Sequence, residues 1–521
     1  MALRSVQTIQ SINPANKQSL GDVPVMSGEQ VEEAVALCTK AFESWQLTNY
    51  AERAQKLLDF RKVVQRRADE IASLISQEVG KPIVECYLAE LNGPLDSCVY
   101  LAENAEKILK DQSIQFTNPL MSSKQGIITF EPLGVIGVIA PWNFPFSIPT
   151  MAILSAVMTG NTVVLKPSEK SSLVGLKIAE LFEEAGFPRG VVTVVTGDSR
   201  TGEALTKCRL AKIIFTGSVE GGIRVMTQAA PNLIPVCLEL GGKDAAIVLP
   251  DAPADFTARG LVWGAFTNAG QACASFERIY IVKGKNTDKL LERIHHYTQI
   301  LRMGQPEEPT TEIGAIVDES QLLKIVEQVE QAKSMGAHVI CGGKRCDDLG
   351  GYFFEPTVIT GVNHTMDVMT KETFGPVMPI MLVDTEDDAV ALANDSQYGL
   401  TASVWTPDLS RAEAVARDLN VGTVFFNDGL FSHASPQAPW GGLKQSGFGR
   451  SHSHFGLIDL VNIKHICRDS PAMSSRFWWY PYGPTRAKTV KGGIKYLHGA
   501  TLGTRISGLI DFLGGLLKKS D

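Results

Sequence analysis

The 521-residue chain is 44% hydrophobic and 20% charged, which excludes dominant disorder, and its 47 glycines and 26 prolines are too scattered for a fibre. A formal net charge of −7 offers no basic field to draw in nucleic acid. The charge is uneven: from Arg486 to Asp521 seven Lys and Arg stand against Asp511 and Asp521, a net of +5 that leaves −12 on the rest.

The length predicts two or three domains. Apolar spacing predicts helices over 31–42, 51–78 and 89–109. β-rich runs follow at 134–140 and 162–165, then a helix over 172–185 ended by Gly186 and Pro188. Further strands are predicted at 191–196, 212–215, 235–238 and 245–249. After Asp251 the alternation resumes, with strands at 279–282, 311–315, 338–341, 377–383 and 403–405. Strands alternating with helices indicate α/β architecture, with parallel sheets covered on both faces and two such domains in series. The most apolar stretch, 133–165, is broken by Pro141, Pro145 and Pro149, so no membrane span is expected. The N-terminus lacks the apolar core of a signal peptide. Nine widely spaced cysteines suit neither a disulfide framework nor a structural zinc site, so a reducing, cytoplasmic setting is expected.

Chemistry concentrates in a few strings. Cys273 lies in GQACAS, where a glycine and small neighbours leave room for a substrate at the sulfur. Glu239 in LELGGK ends a strand between leucines, a setting that raises a carboxyl toward general-base duty. Asn143 in PWNFP is framed by prolines, and a rigidly held amide suits an oxyanion donor. KPSE, with Lys166, Ser168 and Glu169, follows a strand and precedes a helix, where α/β sheets bind ligands. FTGSVEGG, with Gly217, Ser218 and Gly222, sits at a second such turn and suits phosphate. Gly197 lies in a third glycine turn, and the usual G-x-G-x-x-G fingerprint is absent.

Together with KETFGPV at 371–377 and WGGLKQSGFGR at 440–450, these strings stand in the order and at the separations of the aldehyde dehydrogenase superfamily. The chain resembles that superfamily from about Ser11 to Lys464. The resemblance implies an aldehyde dehydrogenase-like fold, with a cofactor domain at 1–112 and 133–241 and a catalytic domain at 242–450. It also implies a bridging hairpin at 113–132 and a strand at 455–468 that join subunits into a homodimer or homotetramer. Cys273 would be the nucleophile, Asn143 with the Cys273 amide the oxyanion donors, and Glu239 the base that hydrolyses the thioester. Lys166 and Glu169 would hold the adenosine ribose of NAD, Gly217 and Ser218 the pyrophosphate, and Glu372 and Phe374 the nicotinamide end. Trp142 would flank the cofactor, with Ser168, Gly197 and Gly222 completing its site. Glu169 favours NAD over NADP, which stays open as an alternative. The presence of Glu239 favours hydrolysis over transfer to coenzyme A.

The family's usual Pro-Phe-Gly-Gly here reads Pro439-Trp-Gly-Gly442. Positions matching the aldehyde channel fall on Phe146, Ile148, Met151, Phe266, Ala272, Ala274, Leu430 and Phe431, so an apolar aliphatic or aromatic aldehyde is expected. Succinic semialdehyde is the alternative, and a coenzyme-A-acylating enzyme or an inactive structural member are further ones. Arg278 matches a structural position. The segment 471–521 is an addition: over 494–517 apolar residues fall largely on one helical face among basic ones. Two readings of it stay open, a helix packed on the body or a neighbouring subunit, and one lying peripherally on an anionic membrane.

Overall fold

A computed structural model describes residues 7–118, 121, 123–469, 476 and 478–517. Lys518, Lys519 and Asp521 of the basic tail, residues 119, 120 and 122 of the expected hairpin, and most of 470–477 therefore lie outside the described residues.

The chain forms two compact units, and the larger one, 1–110 with 130–463, holds two mainly parallel sheets. In the first sheet the strands lie in the order Gly447–Phe448, Val236–Glu239, Lys212–Thr216, Val135–Ile139, Thr162–Lys166, Val192–Val194. Val135–Ile139 and Thr162–Lys166 are buried at every residue, as expected of parallel strands covered on both faces. The chain first builds outward from Val135–Ile139 and then returns to its other side with Lys212–Thr216. That reversal opens a crevice at the C-terminal strand ends, where open α/β sheets take ligands. Register fills it: Ile139 pairs with both Lys166 and Phe215, and Thr216 pairs with Glu239.

The second sheet runs His338–Cys341, Thr357–Thr360, Val377–Val383, Phe276–Val282, Asp244–Val248, Thr401–Trp405, Thr423–Phe426, with only its first strand antiparallel. Its core is one apolar cluster spanning 245–419. The other sheet packs a cluster on each face.

Three expectations within the larger unit need correction, besides one at 455–458 given below. The segment 311–315 is not a strand. It makes one isolated bridge, Met303 to Ile313, and the amides at its end are spent elsewhere: Ala315 donates to the Gly80 carbonyl at 3.1 Å and Ile316 to that of Tyr352 at 2.6 Å. The helix expected over 51–78 is two, Tyr50–Arg66 and Ala68–Val79, broken at Arg67. The helix expected over 89–109 begins as a π-helical turn, Cys86–Leu91, before Asn92–Ile108.

The smaller unit, 111–129 with 464–521, carries most of a three-stranded sheet in which Lys124–Pro132 lies between Val461–Asp469 and Gln112–Ile114. It ends in two helices, Pro484–His498 and Leu502–Leu517. Residues 455–458 belong to the short helix Ser453–Ile458 rather than to the expected strand.

Candidate active site

A cleft of about 520 Å³ opens at the switch point of the first sheet, within the size range of cofactor sites. Cys273, Glu239 and Asn143 all line it, as do Trp142, Lys166, Ser168, Glu169, Gly217, Ser218, Glu372 and Phe374. Gly197 and Gly222 do not. A Cβ on Gly222 would meet Leu240 at 2.7 Å, so this glycine serves helix packing. Gly197, at φ +148°, turns the chain so closely over Thr201 that a Cβ would meet its hydroxyl at 2.0 Å.

The PWNFP segment is held from below. In the π-helical turn, buried Glu90 accepts the amides of Phe146 and Ser147 at 3.1 and 2.8 Å and pairs with buried Lys81. The Lys81 ammonium lies 3.7 Å from the Phe144 ring centroid. Above this anchor the Asn143 amide donates to the Gln271 carbonyl at 3.0 Å, next to the thiol-bearing loop. An amide carries two N–H groups, so one more remains to serve a ligand.

The loop before Cys273 is strained. Asn268 and Ala269 both sit at φ +53°, where residues other than glycine pay for the conformation. They are over-determined by contacts: the Asn268 amide N–H donates to half-buried Glu85 at 2.8 Å, and its side chain donates to the carbonyls of Asn143 and Gln271. Gly270 lies so close to Gly375 that a Cβ would meet its carbonyl oxygen at 2.1 Å. The two glycines of LELGGK serve the same closeness: a Cβ on Gly242 would meet the Cys273 carbonyl at 2.5 Å, and one on Gly241 the Glu372 carboxylate at 2.4 Å.

One buried ion pair ties these strings together. Lys243 pairs with Glu277 at 2.5 Å, and the Glu277 carboxylate accepts the amides of Thr373 and Phe374 at 2.7 and 2.8 Å. This fixes the KETFGPV loop, with Phe374 at φ +55° and its ring edge-on to Trp142 at 5.4 Å. Across the cleft, buried Lys166 sits 3.4 Å from the Glu169 carboxylate. Ser218 caps the helix Val219–Ala229, accepting the Gly221 amide at 3.1 Å.

Electrostatics sort the groups. Burial raises Glu239 to about 7, with the Ser451 and Thr216 hydroxyls and Arg450 pulling the other way. Glu372 is raised to about 7, by burial first and then by the Glu277 charge. Burial, then the charges of Asp244, Glu372 and Glu239, push the Cys273 thiol well up. All nine cysteines are free, with Cys273 half-buried and Cys38, Cys86, Cys98, Cys208 and Cys237 buried.

Residues from distant strings that the sequence did not connect form a second chamber. A cavity of about 30 Å³, room for about one water, borders Glu239 and is lined by His433, Arg450, Ser451 and His452 among others. The two imidazoles are 5.0 Å apart, and burial lowers His433 to about 4 and takes His452 well down, so both are neutral. Nothing in the sequence links position 433 to 452. Their meeting depends on the antiparallel bridge between Trp440 and Ser451.

Of the positions matched to an aldehyde channel, Ile148 lines the cleft. Ala274 and Leu430 cluster with Cys273, Leu400 and Trp440. Phe146 and Phe266 instead belong to the two hydrophobic cores. Arg278 is spent on the carbonyls of Lys243, Leu392 and Ala393.

A thiol, a buried carboxyl and a rigid amide sharing a switch-point cleft are the frame of an enzyme that works on a carbonyl through a covalent bond to sulfur. The sequence profile of the Aldehyde dehydrogenase family matches residues 2–466. The chloroplastic betaine aldehyde dehydrogenase of Amaranthus hypochondriacus is 35% identical over 477 residues, covering 90% of this chain and 94% of its own. The mitochondrial succinate-semialdehyde dehydrogenase of Arabidopsis thaliana is 36% identical over 463 residues, covering 88% and 86%. Among solved structures, an NAD-dependent aldehyde dehydrogenase from Sinorhizobium meliloti aligns with a TM-score of 0.87 at 35% identity, over 92% of this chain and 94% of that one. The chain belongs to the aldehyde dehydrogenase family. It is an enzyme that oxidises an aldehyde.

Proposed function

We propose that the chain converts an apolar aliphatic or aromatic aldehyde to its carboxylic acid with NAD⁺ and water, through a covalent bond to Cys273. The observation that carries this reading is the convergence of Cys273, Glu239 and Asn143 on one cleft that also takes in Lys166, Glu169, Gly217 and Ser218. The donor set suits a dinucleotide. A Cβ on Gly217 or Gly221 would meet the Phe215 ring at 2.7 Å, so glycine is needed where the strand hands over to the capped helix, and that helix N-terminus suits a pyrophosphate. The Lys166–Glu169 pair suits an adenosine ribose, and the Glu169 carboxylate repels a 2′-phosphate. NAD⁺, when bound, supplies the hydride acceptor.

The chain's own groups do the rest. Cys273 attacks as thiolate, and the spare Asn143 N–H with the Cys273 amide steadies the oxyanion of the thiohemiacetal. Loss of hydride leaves a thioester on the sulfur. Glu239 takes a proton from water, which adds to the thioester carbonyl; the C–S bond breaks and the acid departs. The apolar shell of Ala274, Leu400, Leu430 and Trp440 around Cys273 supports an apolar substrate.

In this reading 1–112 with 133–241 binds the cofactor and 242–450 carries the thiol. A homodimer or homotetramer is supported by the strand Val461–Asp469, which lies at a sheet edge with its side chains largely exposed. Free thiols suit a reducing compartment such as the cytoplasm. Among the described residues no helix is long and apolar enough to cross a membrane.

NADH formation across a panel of aldehydes, with NAD⁺ and NADP⁺ compared, tests the proposal. Hexanal or benzaldehyde should exceed succinic semialdehyde in kcat/KM, and the reverse order overturns the substrate. Acyl-CoA as product on adding coenzyme A overturns hydrolysis. Activity unchanged in Cys273→Ala overturns the mechanism.

A further inference from the structure

We infer that the C-terminal helical hairpin docks this enzyme on an anionic phospholipid surface, lying in the headgroup layer without crossing it. The segment lies beyond residue 466, where the match to the family profile stops, so family-wide catalysis gives it no task.

The hairpin closes on small residues. Thr489, Gly492 and Gly493 of Pro484–His498 are buried, as are Gly508 and Phe512 of Leu502–Leu517. A Cβ on Gly492 would meet the Phe512 amide nitrogen at 2.6 Å, and one on Gly508 that of Tyr496 at 2.3 Å, so the two backbones touch. That seam consumes one side of the second helix and leaves the other without cover. Leu502, Ile506, Ile510, Leu513 and Leu517 recur there at helical spacing, each between 48% and 87% exposed. Val490 and Ile494 of the first helix are exposed as well, as are Trp479, Tyr480 and Tyr482 just ahead of it. Aromatics with a polar tip are the residues that settle at a membrane–water boundary.

Charge selects the occupant. Residues 484–517 carry Arg486, Lys488, Lys491, Lys495 and Arg505 against one acid, Asp511. Asp511 is already engaged, 3.2 Å from Lys488 and 3.9 Å from Lys495. A second copy of the hairpin packed face to face would bring the same cations together, which a symmetric interface must repay. An anionic bilayer answers both features at once, taking the apolar stripe among its acyl chains and the cations among its phosphates. The second helix has 16 residues, about 24 Å at 1.5 Å per residue, which is short of the roughly 30 Å hydrocarbon core.

The test is co-sedimentation of the full-length protein with phosphatidylcholine vesicles, with and without phosphatidylglycerol. Binding should be at least roughly tenfold greater with the anionic lipid and fall steeply with salt. Ile506→Asp/Ile510→Asp/Leu513→Asp should abolish it, and Lys488→Gln/Lys491→Gln should weaken it about tenfold or more. Both variants should keep their turnover of a water-soluble aldehyde, because every altered side chain is exposed or half-exposed in the appended hairpin. Equal binding to neutral and anionic vesicles, or none to either, overturns the proposal. So does loss of self-association in the Asp variant, by light scattering, when vesicle binding is absent, since the stripe would then cover a second copy.

Discussion

The general-base role proposed for Glu239 sets it in an environment that resists its charge. Its carboxyl ends a strand paired with Gly447 and is held near 7 by burial. A base must be ionised to accept a proton from water, so kcat should fall as pH drops below about 7. Glu239→Gln should cut steady-state turnover by about 10²–10⁴-fold. It should leave a first-turnover burst of NADH, because hydride loss precedes the step that needs the base. Stopped-flow absorbance reads both quantities, and a variant that loses the burst as fully as the steady state would place Glu239 in the earlier step. That Cys273, Glu239 and Asn143 would share one cleft was legible because each string pairs a reactive side chain with residues that hold backbone still or let it approach. The neutral pair His433 and His452 was not, since two imidazoles from separate loops leave no periodic or spaced signature.

At the scale of elements, the site is held by ion pairs that lie out of water. Lys81–Glu90 steadies the Asn143 segment, and Lys243–Glu277 pins the Phe374 loop to a strand of the second sheet. Removing one member of such a pair strands the other's charge, so Lys243→Ala should cost about 3–5 kcal/mol in urea unfolding. It should also raise the KM for NAD⁺, as the Thr373 and Phe374 amides lose their fixed acceptor. An unchanged KM beside lowered stability would confine Lys243 to the core. The alternation of the two sheets was readable from β-rich runs between helices. Boundaries failed where tertiary contacts outbid local preference: buried Glu90 must face both Lys81 and the 146–147 amides, and there the helix takes a π-helical turn. Likewise 311–315 was expected as a strand, but the Ala315 and Ile316 amides find acceptors at Gly80 and Tyr352.

Over the whole molecule, buried acids set the response to pH. Glu78, Glu85, Glu239 and Glu372 are each raised to about 7 and Asp244 to about 8, burial being the main cause in all five. Between pH of about 4 and 8 the folded chain keeps protons that the unfolded chain has shed, so these groups lower stability as pH rises. Glu70, held near 2 by Arg67 and Lys177, and Asp198, lowered by Arg200, act in the opposite sense. The stability they add is lost only as pH falls below about 4. The urea midpoint should therefore be higher near pH of about 5 than at about 8. A midpoint that climbs across that interval would contradict the burial of these acids. The unequal exposure of the sulfurs has a practical outcome of another kind: the fold carries its own census of reactive thiols. A colorimetric thiol reagent should find at most four in the native protein, Cys273, Cys341, Cys346 and, in a monomer only, Cys467, and nine once it is unfolded. Cys273→Ala should lower both readings by one, so a single bench titration reports whether a preparation is folded and whether the Cys273 thiol is intact.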